Sequence, residues 1–406
     1  MKDRLFLKDG NAEASYGNLI AEINNRNYYY PKYQTTSLFD FYVNLLTGLV
    51  CNKLVVLLDS DISMSEINPS VSEDINVRKE VKKSHIKDFE DFIERIKSSS
   101  SEIVIFTSGT TGQPKEVRHS ISSLSRAVKT GERFHDNIWG FAYNPTHMAG
   151  LQVFLQAFMN CNPIINIFNK NREYVLNVIE HEGITHISAT PTFYRLLLPY
   201  ERPYTSVIRV SLGGEKSGKS LYDSIKLIFP NAKVTNIYAS TEAGTLFATQ
   251  GEYFKIPVAI KDKFKIVDDE LFIHNSLLGS SPSFMLIDDF YATGDLIEWV
   301  DENNRLFRFK SRKNELINVG GYKVNPLEVE EALRRISGIR EAYVYGKKNS
   351  ILGNVLCADV VTETVSISET DIRTSLKDRL QDFKIPRRIK FVETLSLTRT
   401  GKISRK

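Results

Sequence analysis

A loop rich in small polar residues constrains this chain more than any other feature. Residues Thr107–Lys115 read T-S-G-T-T-G-Q-P-K and follow an apolar run, residues 103–106, that predicts a buried strand. Glycines let a backbone approach a ligand closely, and successive N–H groups in such turns form an anion-binding concavity. Lys115 adds a positive charge suited to phosphate. The stretch predicts a phosphate-binding loop; a polar surface turn between a strand and a helix is the alternative.

The spacing of this loop excludes the P-loop motif of nucleotide triphosphatases. That motif needs a glycine directly before its lysine and a serine or threonine directly after it, but Lys115 stands between Pro114 and Glu116. A second stretch, Gly213–Ser220, matches the P-loop pattern in full, between a predicted strand and a predicted helix. A P-loop nucleotide triphosphatase or kinase is therefore an alternative from another class. Such an enzyme would also need an acidic residue at the end of a second strand to help hold Mg²⁺. Asp288 is a poor candidate, because its surroundings are apolar on only one side.

Composition narrows the class of protein. With 406 residues, 42% hydrophobic and 25% charged, the chain is long enough for two or more globular domains. The formal net charge of +4 gives no argument for nucleic-acid binding. The 3 cysteines are widely separated, which indicates neither a disulfide framework nor a zinc site. The beginning of the chain lacks the pattern of a secretion signal, and the most apolar window, residues 39–58, is interrupted by polar side chains. We therefore expect a cytoplasmic protein without a membrane span.

A second candidate site follows the predicted strand 234–237. Residues Tyr238–Gly244 read Y-A-S-T-E-A-G, and each type suits a nucleotide. Tyr238 offers a flat face for adenine, the Thr241 hydroxyl can bond a phosphate oxygen, and Glu242 supplies the hard oxygen ligand that Mg²⁺ prefers. The alternative is a strand end followed by a helix that Ser240 or Thr241 caps.

A third candidate is Y-A-T-G-D at residues 291–295. Gly294 predicts a tight turn that presents the Asp295 carboxylate, which can accept hydrogen bonds from both hydroxyls of a ribose. The alternative is that Asp295 is an ordinary turn residue.

Taken in order, these motifs resemble those of the adenylate-forming superfamily, which includes acyl- and aryl-CoA synthetases, nonribosomal peptide adenylation domains and luciferases. Besides the stretches above, the resemblance covers G-G-E at residues 213–215, P-T-H-M-A-G at 145–150, R-K-N at 312–314, G-Y-K-V-N-P-L-E at 321–328 and L-T-R-T-G-K at 397–402. The motifs span residues 107–405. Ala239, Ser311 and Asn314 depart from the usual residues of the family.

The resemblance implies roles for individual residues. Lys402, Lys115, Glu242 and Thr241 would be catalytic, Glu242 as the Mg²⁺ ligand and Lys402 at the junction of carboxylate and α-phosphate. The acid pocket would include His147, Gly150, Ala239 and Gly244, the path of the thiol would pass Gly321 and Lys323, and Asn314 would be the hinge. The implied ATP/AMP site consists of Thr107, Ser108, Gly109, Thr110, Thr111, Gly112, Lys115, Gly213, Gly214, Glu215, Tyr238, Ala239, Ser240, Thr241, Asp295, Arg312 and Lys402.

The fold implied is α/β, with strands and helices that alternate as in a parallel sheet with crossover helices. The apolar patterns predict strands at residues 54–57 and 270–274, and helices at residues 120–131, 151–158 and 174–182. Residues 1–311 would form a large ATP- and acid-binding domain of stacked α/β subdomains plus a smaller β-rich part. Residues 312–406 would form a small mobile α+β domain that carries Lys402. In full-length relatives the phosphate loop lies further from the start, so this chain resembles a shortened member.

The function implied is the ATP-dependent activation of a carboxylic acid through acyl-AMP with pyrophosphate release, then acyl transfer to a thiol. ATP, Mg²⁺ and CoA are the expected cofactors. CoA is the first choice of acceptor and an acyl carrier protein the second, and the basic residues 387–406 suit either. A buried acidic partner for an amino acid substrate is not evident near Pro145 or Pro191, so a fatty, aryl or short acyl acid is favoured. A pseudoenzyme that only binds nucleotide is a further alternative.

Overall fold

The computed structural model describes residues 2–60, 73–107, 115–199, 201–319, 322–349, 353–363, 367–398 and 403–404. The chain divides into two compact units. The first comprises Met1–Gly251 and Ile273–Tyr291, and the second comprises Glu252–Phe272 and Ala292–Lys406. The domain boundary predicted at residues 311 and 312 lies inside the second unit and stays a prediction.

The elements up to residue 251 alternate between strands and helices. In chain order they are β1 Leu5–Asp9, β2 Ala12–Ser15, α1 Tyr16–Asn25, β3 Tyr28–Tyr29, β4 Lys32–Tyr33, α2 Leu38–Val50, β5 Val55–Leu57, β6 Lys79–Glu80, α3 Phe89–Lys97, β7 Glu102–Thr107, β8 Lys115–Ser120, α4 Ile121–Leu124, β9 Trp139–Phe141, α5 Met148–Phe158, β10 Ile164–Asn166, α6 Arg172–His181, β11 His186–Ala189, α7 Pro191–Leu196, β12 Arg209–Gly213, α8 Lys219–Ile228, β13 Lys233–Ser240 and β14 Gly244–Thr249.

The remaining elements are mostly strands. They are β15 Phe254–Lys255, β16 Phe264–Val267, β17 Glu270–His274, β18 Leu286–Ile287, β19 Phe290–Asp301, β20 Leu306–Arg312, β21 Ile317–Val319, β22 Tyr322–Val324, α9 Pro326–Arg334, β23 Ile339–Asn349, β24 Gly353–Thr362, α10 Glu369–Lys377 and β25 Arg388–Phe391.

The first unit is built on an eight-stranded sheet with the order β14-β13-β12-β11-β9-β10-β1-β2. Its inner strands are parallel, and only the outermost pairs, β13–β14 and β1–β2, are antiparallel. A four-stranded sheet, β4-β5-β7-β8, and the β3–β6 pair belong to the same unit. The parallel sheet with crossover helices confirms the α/β class predicted from the alternating pattern.

Both faces of the eight-stranded sheet are buried. Side chains of successive strand residues point to opposite faces. Accordingly, Phe141 and Ile164 belong to a core formed with α1, α2, α3 and α5, whereas their neighbours Ala142 and Ile165 belong to a core formed with α6 and α8. A sheet covered on both sides leaves its strand ends as the accessible places for polar side chains.

The second unit has a separate core. A sheet with the order β15-β20-β19-β17-β16 precedes the β21–β22 hairpin and the three-stranded sheet β23-β24-β25. Pro326 occupies the first turn of α9 after the N-cap Asn325, as the sequence predicts. Val329 and Leu333 of this helix pack with Val344, Ala358 and Val360. Among the described residues, no helix has both the length and the apolar character needed to cross a membrane.

Two local expectations are wrong. The helix predicted over residues 120–131 is confined to Ile121–Leu124. Its C-cap residue is Ser125, whose hydroxyl donates to the Ile121 carbonyl at 2.7 Å, a bond that weakens a helix. The tight turn predicted at Gly294 is instead part of the long strand β19, within which Gly294 adopts a φ of +75°. A left-handed glycine lets the strand bend without ending.

Candidate active site

The strands that flank the predicted phosphate loop pair with each other. β7 and β8 are antiparallel, and Thr107 is the register partner of Lys115. A strand therefore stands on both sides of the loop, so the alternative of a strand-to-helix turn is wrong. Ser108, Gly109, Thr110, Thr111 and Gly112 lie outside the described residues, and their role in binding phosphate stays a prediction. Lys115 is the first residue of β8 and is partly buried.

The second motif forms the connection between β13 and β14. Because a strand follows the motif, the alternative of a capped helix is wrong. Ser240, which the resemblance assigns to nucleotide binding, accepts a hydrogen bond from the Ala243 N–H at 3.2 Å and so closes the turn. The Tyr238 ring stacks on Phe247 with a centroid distance of 5.8 Å. Thr241 and Glu242 at the tip of the turn are partly exposed.

The G-G-E motif lies at the carboxyl end of β12, beside β13. Gly213 pairs with Ile237, and a Cβ on Gly213 would lie 3.3 Å from the Tyr143 hydroxyl. The Glu215 carboxylate accepts hydrogen bonds from the Thr192 N–H at 3.1 Å and the Thr192 hydroxyl at 2.8 Å. The side chain of Glu215 therefore fixes the start of α7. Only the backbone of Gly213 and Gly214 is then available to contact a ligand at this motif.

The parallel register brings these motifs to one edge of the sheet. Ala189 pairs with Leu212 and Gly213 with Ile237, so β11, β12 and β13 end side by side. Ligands of open α/β sheets bind outside the carboxyl ends of the strands. The same geometry weakens the P-loop alternative: the Ser217 hydroxyl is buried 2.8 Å from the Tyr222 hydroxyl, while Lys219 and Ser220 are exposed on α8.

Residues predicted for the acid pocket lie on two elements that meet. Gly244 has a φ of +66°, and a Cβ there would lie 2.9 Å from Gln152 Nε2 on α5. The Thr245 hydroxyl, opposite Ala239 in the ladder, donates to Gln152 Oε1 at 2.9 Å. His147 is the N-cap residue of α5. The beginning of α5 and the β13–β14 connection therefore adjoin, as a common pocket requires.

Gly150 has a packing role. A Cβ at this position would overlap the carbonyl oxygen of Asn144, because the P-T-H loop folds back over the first turn of α5. Gly150 thus allows the loop that carries His147 to lie directly on the helix.

Asp59 is a site residue that sequence reasoning missed. Its Oδ1 accepts hydrogen bonds from Asn144 Nδ2 at 3.0 Å and from the Thr146 hydroxyl, and lies 3.3 Å from His147 Nε2. Burial alone raises the pKa of Asp59, but the adjacent His147, together with the hydrogen bonds from Thr146 and Asn144, outweighs burial and leaves the pKa below its usual value. An ionised carboxylate therefore holds the P-T-H loop. Its position directly after the predicted strand at residues 54–57 was the only signal available.

In the second unit, the structure brings Asp295 and Arg312 together. They are register partners on β19 and β20, and Arg312 Nε donates to Asp295 Oδ1 at 2.7 Å. Asp295 is buried, with 6% of its surface exposed. The buried Glu270, which sequence reasoning also missed, accepts from the Gly294 N–H at 2.9 Å and from Lys313 Nζ at 2.9 Å. Glu270 thus ties the Y-A-T-G-D strand to the residue that precedes the predicted hinge, Asn314.

Of the remaining predicted residues, the structure describes only Lys323 and the neighbours of Lys402. Lys323 is exposed on β22, whereas Gly321 and Lys402 lie outside the described residues. The neighbours of Lys402 are described: Ile403 pairs with Leu397, and the Ser404 N–H donates to the Ser396 carbonyl at 2.8 Å.

A metal at this site would need ligands from the substrate as well. No group of three or more His, Cys, Asp or Glu side chains able to hold a metal ion occurs within the described part of the chain. Mg²⁺ suits such a place, because it is commonly held by one or two carboxylates together with substrate phosphates and water. The partly exposed Glu242 fits that use.

Comparison with known families divides the chain in two. Residues 50–271 match the family described as AMP-binding enzyme, and residues 328–402 match the AMP-binding enzyme C-terminal domain. The first match alone covers more than half of the 406 residues.

Individual proteins agree with these matches. The chain is 29% identical over 327 residues to the 2-succinylbenzoate–CoA ligase of Listeria monocytogenes serotype 4b (strain F2365), in an alignment that covers 74% of this chain and 68% of that protein. The chain spans about two thirds of the length of the curated relatives it matches.

Solved structures share the fold. ATP-bound MatB from Rhodopseudomonas palustris matches with a TM-score of 0.75 and 17% identity, covering 99% of this chain and 94% of that chain. The o-succinylbenzoate CoA synthetase MenE from Bacillus subtilis, in complex with the acyl-adenylate OSB-AMP, matches with a TM-score of 0.74, 19% identity and the same coverage, 99% and 94%. These likenesses confirm the predicted fold class. The resemblance indicated by the motifs is confirmed as well: this chain belongs to the family of AMP-binding enzymes and carries the C-terminal domain of that family.

Proposed function

We propose that this protein is an AMP-forming acid–thiol ligase that activates a carboxylic acid with ATP and transfers the acyl group to CoA. The observation that carries the proposal is the presence of both family domains, residues 50–271 and 328–402, in one chain. The relative described above is named a CoA ligase, which supports CoA as the acceptor.

In the first half-reaction, a carboxylate oxygen of the acid attacks the α-phosphorus of ATP. The bond from that phosphorus to the bridging oxygen breaks, and pyrophosphate leaves. Lys115 and the loop before it bind phosphate, and the Tyr238 ring stacks on adenine. The Asp295 carboxylate, held by Arg312 Nε at 2.7 Å, accepts hydrogen bonds from the ribose hydroxyls. Lys402 holds the attacking carboxylate beside the α-phosphate and offsets the charge that develops. Mg²⁺, when bound by Glu242 and the phosphates, would neutralise phosphate charge.

In the second half-reaction, the thiol sulfur of CoA attacks the acyl carbon, its proton passes to solvent, and AMP leaves. Residues 312–406 turn about Asn314 between the half-reactions, which withdraws Lys402 and brings Gly321 and Lys323 to the thiol. Domain motion of this kind lets one site assemble two sets of residues in turn. Glu270 supports the hinge position, because it anchors Lys313 directly before Asn314 at 2.9 Å.

An aryl acid is the substrate class that the comparisons favour, because the relative described above acts on 2-succinylbenzoate by its name. A carrier protein is the second candidate acceptor. A cavity of about 420 Å³ in the second unit, lined by Lys347, Arg387, Arg388, Lys390 and Glu369, supports either acceptor. These cations suit the phosphates of CoA or the acidic surface of a carrier protein. A cytoplasmic location remains part of the proposal.

Pyrophosphate release from Mg·ATP, measured across a panel of aryl, fatty and short-chain acids, tests this function. In one series of assays hydroxylamine would trap the acyl-adenylate. In a second series CoA would take the place of hydroxylamine. We expect acid-dependent release of pyrophosphate and AMP, strongest for an aryl acid, and thioester formation with CoA. Lys115→Ala should abolish release, whereas Lys219→Ala, a matched lysine in the P-loop-like stretch, should leave it unchanged.

Three other outcomes would each support a different function. Release of phosphate and ADP, lost in Lys219→Ala, would establish the P-loop alternative instead. Thioester formation only on a carrier protein would replace CoA as the acceptor. Nucleotide binding with no product from any acid or acceptor would identify a pseudoenzyme.

A further inference from the structure

Three consecutive backbone carbonyls in the turn between β13 and β14 are each held by a different part of the first unit. His119 Nε2 lies 2.8 Å from the Thr241 oxygen, the Gly279 N–H donates to the Glu242 oxygen at 2.7 Å, and Arg126 Nη2 donates to the Ala243 oxygen at 2.5 Å. We call His119, Arg126 and Gly279 the carbonyl clamp. The roles proposed above for the site residues do not by themselves require that these three carbonyls be held.

Buried contacts define the orientation of His119. The side chain is on β8 and only 2% exposed. A carbonyl oxygen can only accept, so Nε2 donates to Thr241. Nδ1 lies 3.1 Å from the Ser123 hydroxyl, which can donate to it in the neutral ring. Both ring nitrogens are therefore satisfied when the ring faces the turn.

Gly279 lets the third segment approach closely. A Cβ at this position would lie 2.6 Å from the Arg118 carbonyl oxygen and 2.6 Å from His119 Cε1. The next residue, Ser280, exchanges backbone hydrogen bonds of 2.8 and 2.9 Å with Arg118. The clamp is thus attached to β8, the strand that begins with Lys115.

The side chains at the tip of the turn are not used by the clamp. Thr241 and Glu242 are partly exposed. Among the described residues, none forms a hydrogen bond or ion pair with the Glu242 carboxylate. A fixed backbone with an available carboxylate is what a preorganised metal ligand requires.

We propose that His119 and Arg126 are positioning residues that hold the Thr241–Ala243 turn, so that Glu242 meets the magnesium of Mg·ATP at a fixed distance from Lys115. The inference rests on the proposed function, which assigns Glu242 to the metal. It adds two residues that never touch the nucleotide and act only through the turn.

A double-mutant cycle on Mg·ATP binding, measured by titration calorimetry on the full chain, tests the inference without knowledge of the acid. We expect Glu242→Gln and His119→Leu each to weaken binding about tenfold, the range typical of supporting residues around a metal. The double variant should bind no more weakly than Glu242→Gln alone, because His119 acts through Glu242. His119→Gln, which keeps a donor, should recover most of the affinity, and His181→Leu, at an exposed histidine, should match wild type.

Independent losses in the double variant, or wild-type affinity in His119→Leu, would overturn the inference while leaving the proposed function intact. If His119→Leu does not fold, the same cycle with Arg126→Met, which keeps the length of the side chain, decides between the same outcomes. Unchanged Mg·ATP binding in Glu242→Gln would instead remove the metal role from the proposed function, and the inference with it.

Discussion

Asp59 illustrates how one largely buried carboxylate can organise a loop far along the chain. Asn144 and Thr146 both donate to its Oδ1, and His147 Nε2 lies 3.3 Å away. Removal of a shared acceptor leaves buried donors unsatisfied, which costs more than a single hydrogen bond contributes. The loop that carries His147 therefore depends on a residue outside every family motif.

We expect Asp59→Ala to lower the free energy of unfolding by about 2 to 3 kcal/mol, because the donors lose their acceptor. Asp59→Asn, which keeps one oxygen but not the charge, should lose less. Urea denaturation at pH 7 measures both, and Asp223→Ala, an exposed aspartate on α8, is the control. Equal stability of Asp59→Ala and wild type would show that the loop is held by other contacts.

His186 predicts a pH dependence of stability. Burial, aided by the charge of Arg209, lowers the pKa of His186 from 6.5 to about 4. The unfolded chain therefore binds a proton that the folded chain does not, and stability decreases as pH falls from 6.5 towards 4. Because the side chain is partly exposed, we expect about 1 kcal/mol of this loss between pH 7 and pH 5.

Urea denaturation at pH 7 and pH 5 measures this loss. In His186→Gln the difference between the two pH values should shrink by the same amount, whereas His181→Gln, at an exposed histidine, should retain it. An undiminished difference in His186→Gln would assign the pH dependence to another group.

At the scale of elements, α5 combines ordinary helix chemistry with one position that excludes a side chain. Replacing a helical glycine with alanine normally stabilises a helix by up to about 1 kcal/mol. At Gly150 the added Cβ would overlap the Asn144 carbonyl oxygen. We therefore expect Gly150→Ala to destabilise the protein by about 1 to 3 kcal/mol, as overpacking does. Thermal unfolding measures the sign, and any stabilisation would contradict the contact.

The elements show which parts of the fold the sequence predicts. Periodic or continuous apolar runs predicted β5, β7, α5, α6 and β17 within a few residues, because burial of these segments is encoded locally. The expectations at residues 120–131 and at Gly294 were wrong. Beyond Leu124 the chain leaves the helix and Arg126 donates to the Ala243 carbonyl, and within β19 the Gly294 N–H donates to Glu270. Such outcomes depend on tertiary contacts that a local pattern does not contain.

The candidate site likewise contains residues that the sequence indicates and residues that it does not. Residues proposed to contact the nucleotide, such as Tyr238, Glu242 and Asp295, stand out in the sequence because they form compact motifs, and their contacts with it stay a prediction. The residues that support them could not. His119 lies 122 positions from Thr241, and Glu270 lies 43 positions from Lys313, so neither partner can be recognised without the fold.

At the scale of the whole molecule, the proposed function requires two half-reactions to use different residues of the C-terminal part. Lys402 would serve adenylation alone, and Lys323, exposed on β22, would serve the thiol step. The two steps can be separated experimentally, because synthetic acyl-adenylate plus CoA bypasses the first.

We expect Lys402→Ala to reduce acid-dependent pyrophosphate release on the order of 100-fold, the loss typical when one group that stabilises transition-state charge is removed. The same variant should form thioester from supplied acyl-adenylate at close to the wild-type rate. Lys323→Ala should show the reverse pattern, with normal pyrophosphate release and slower thioester formation. Each variant is thus the control for the other. Equal loss of both half-reactions in Lys402→Ala would contradict alternation and indicate that one fixed arrangement of the chain performs both steps.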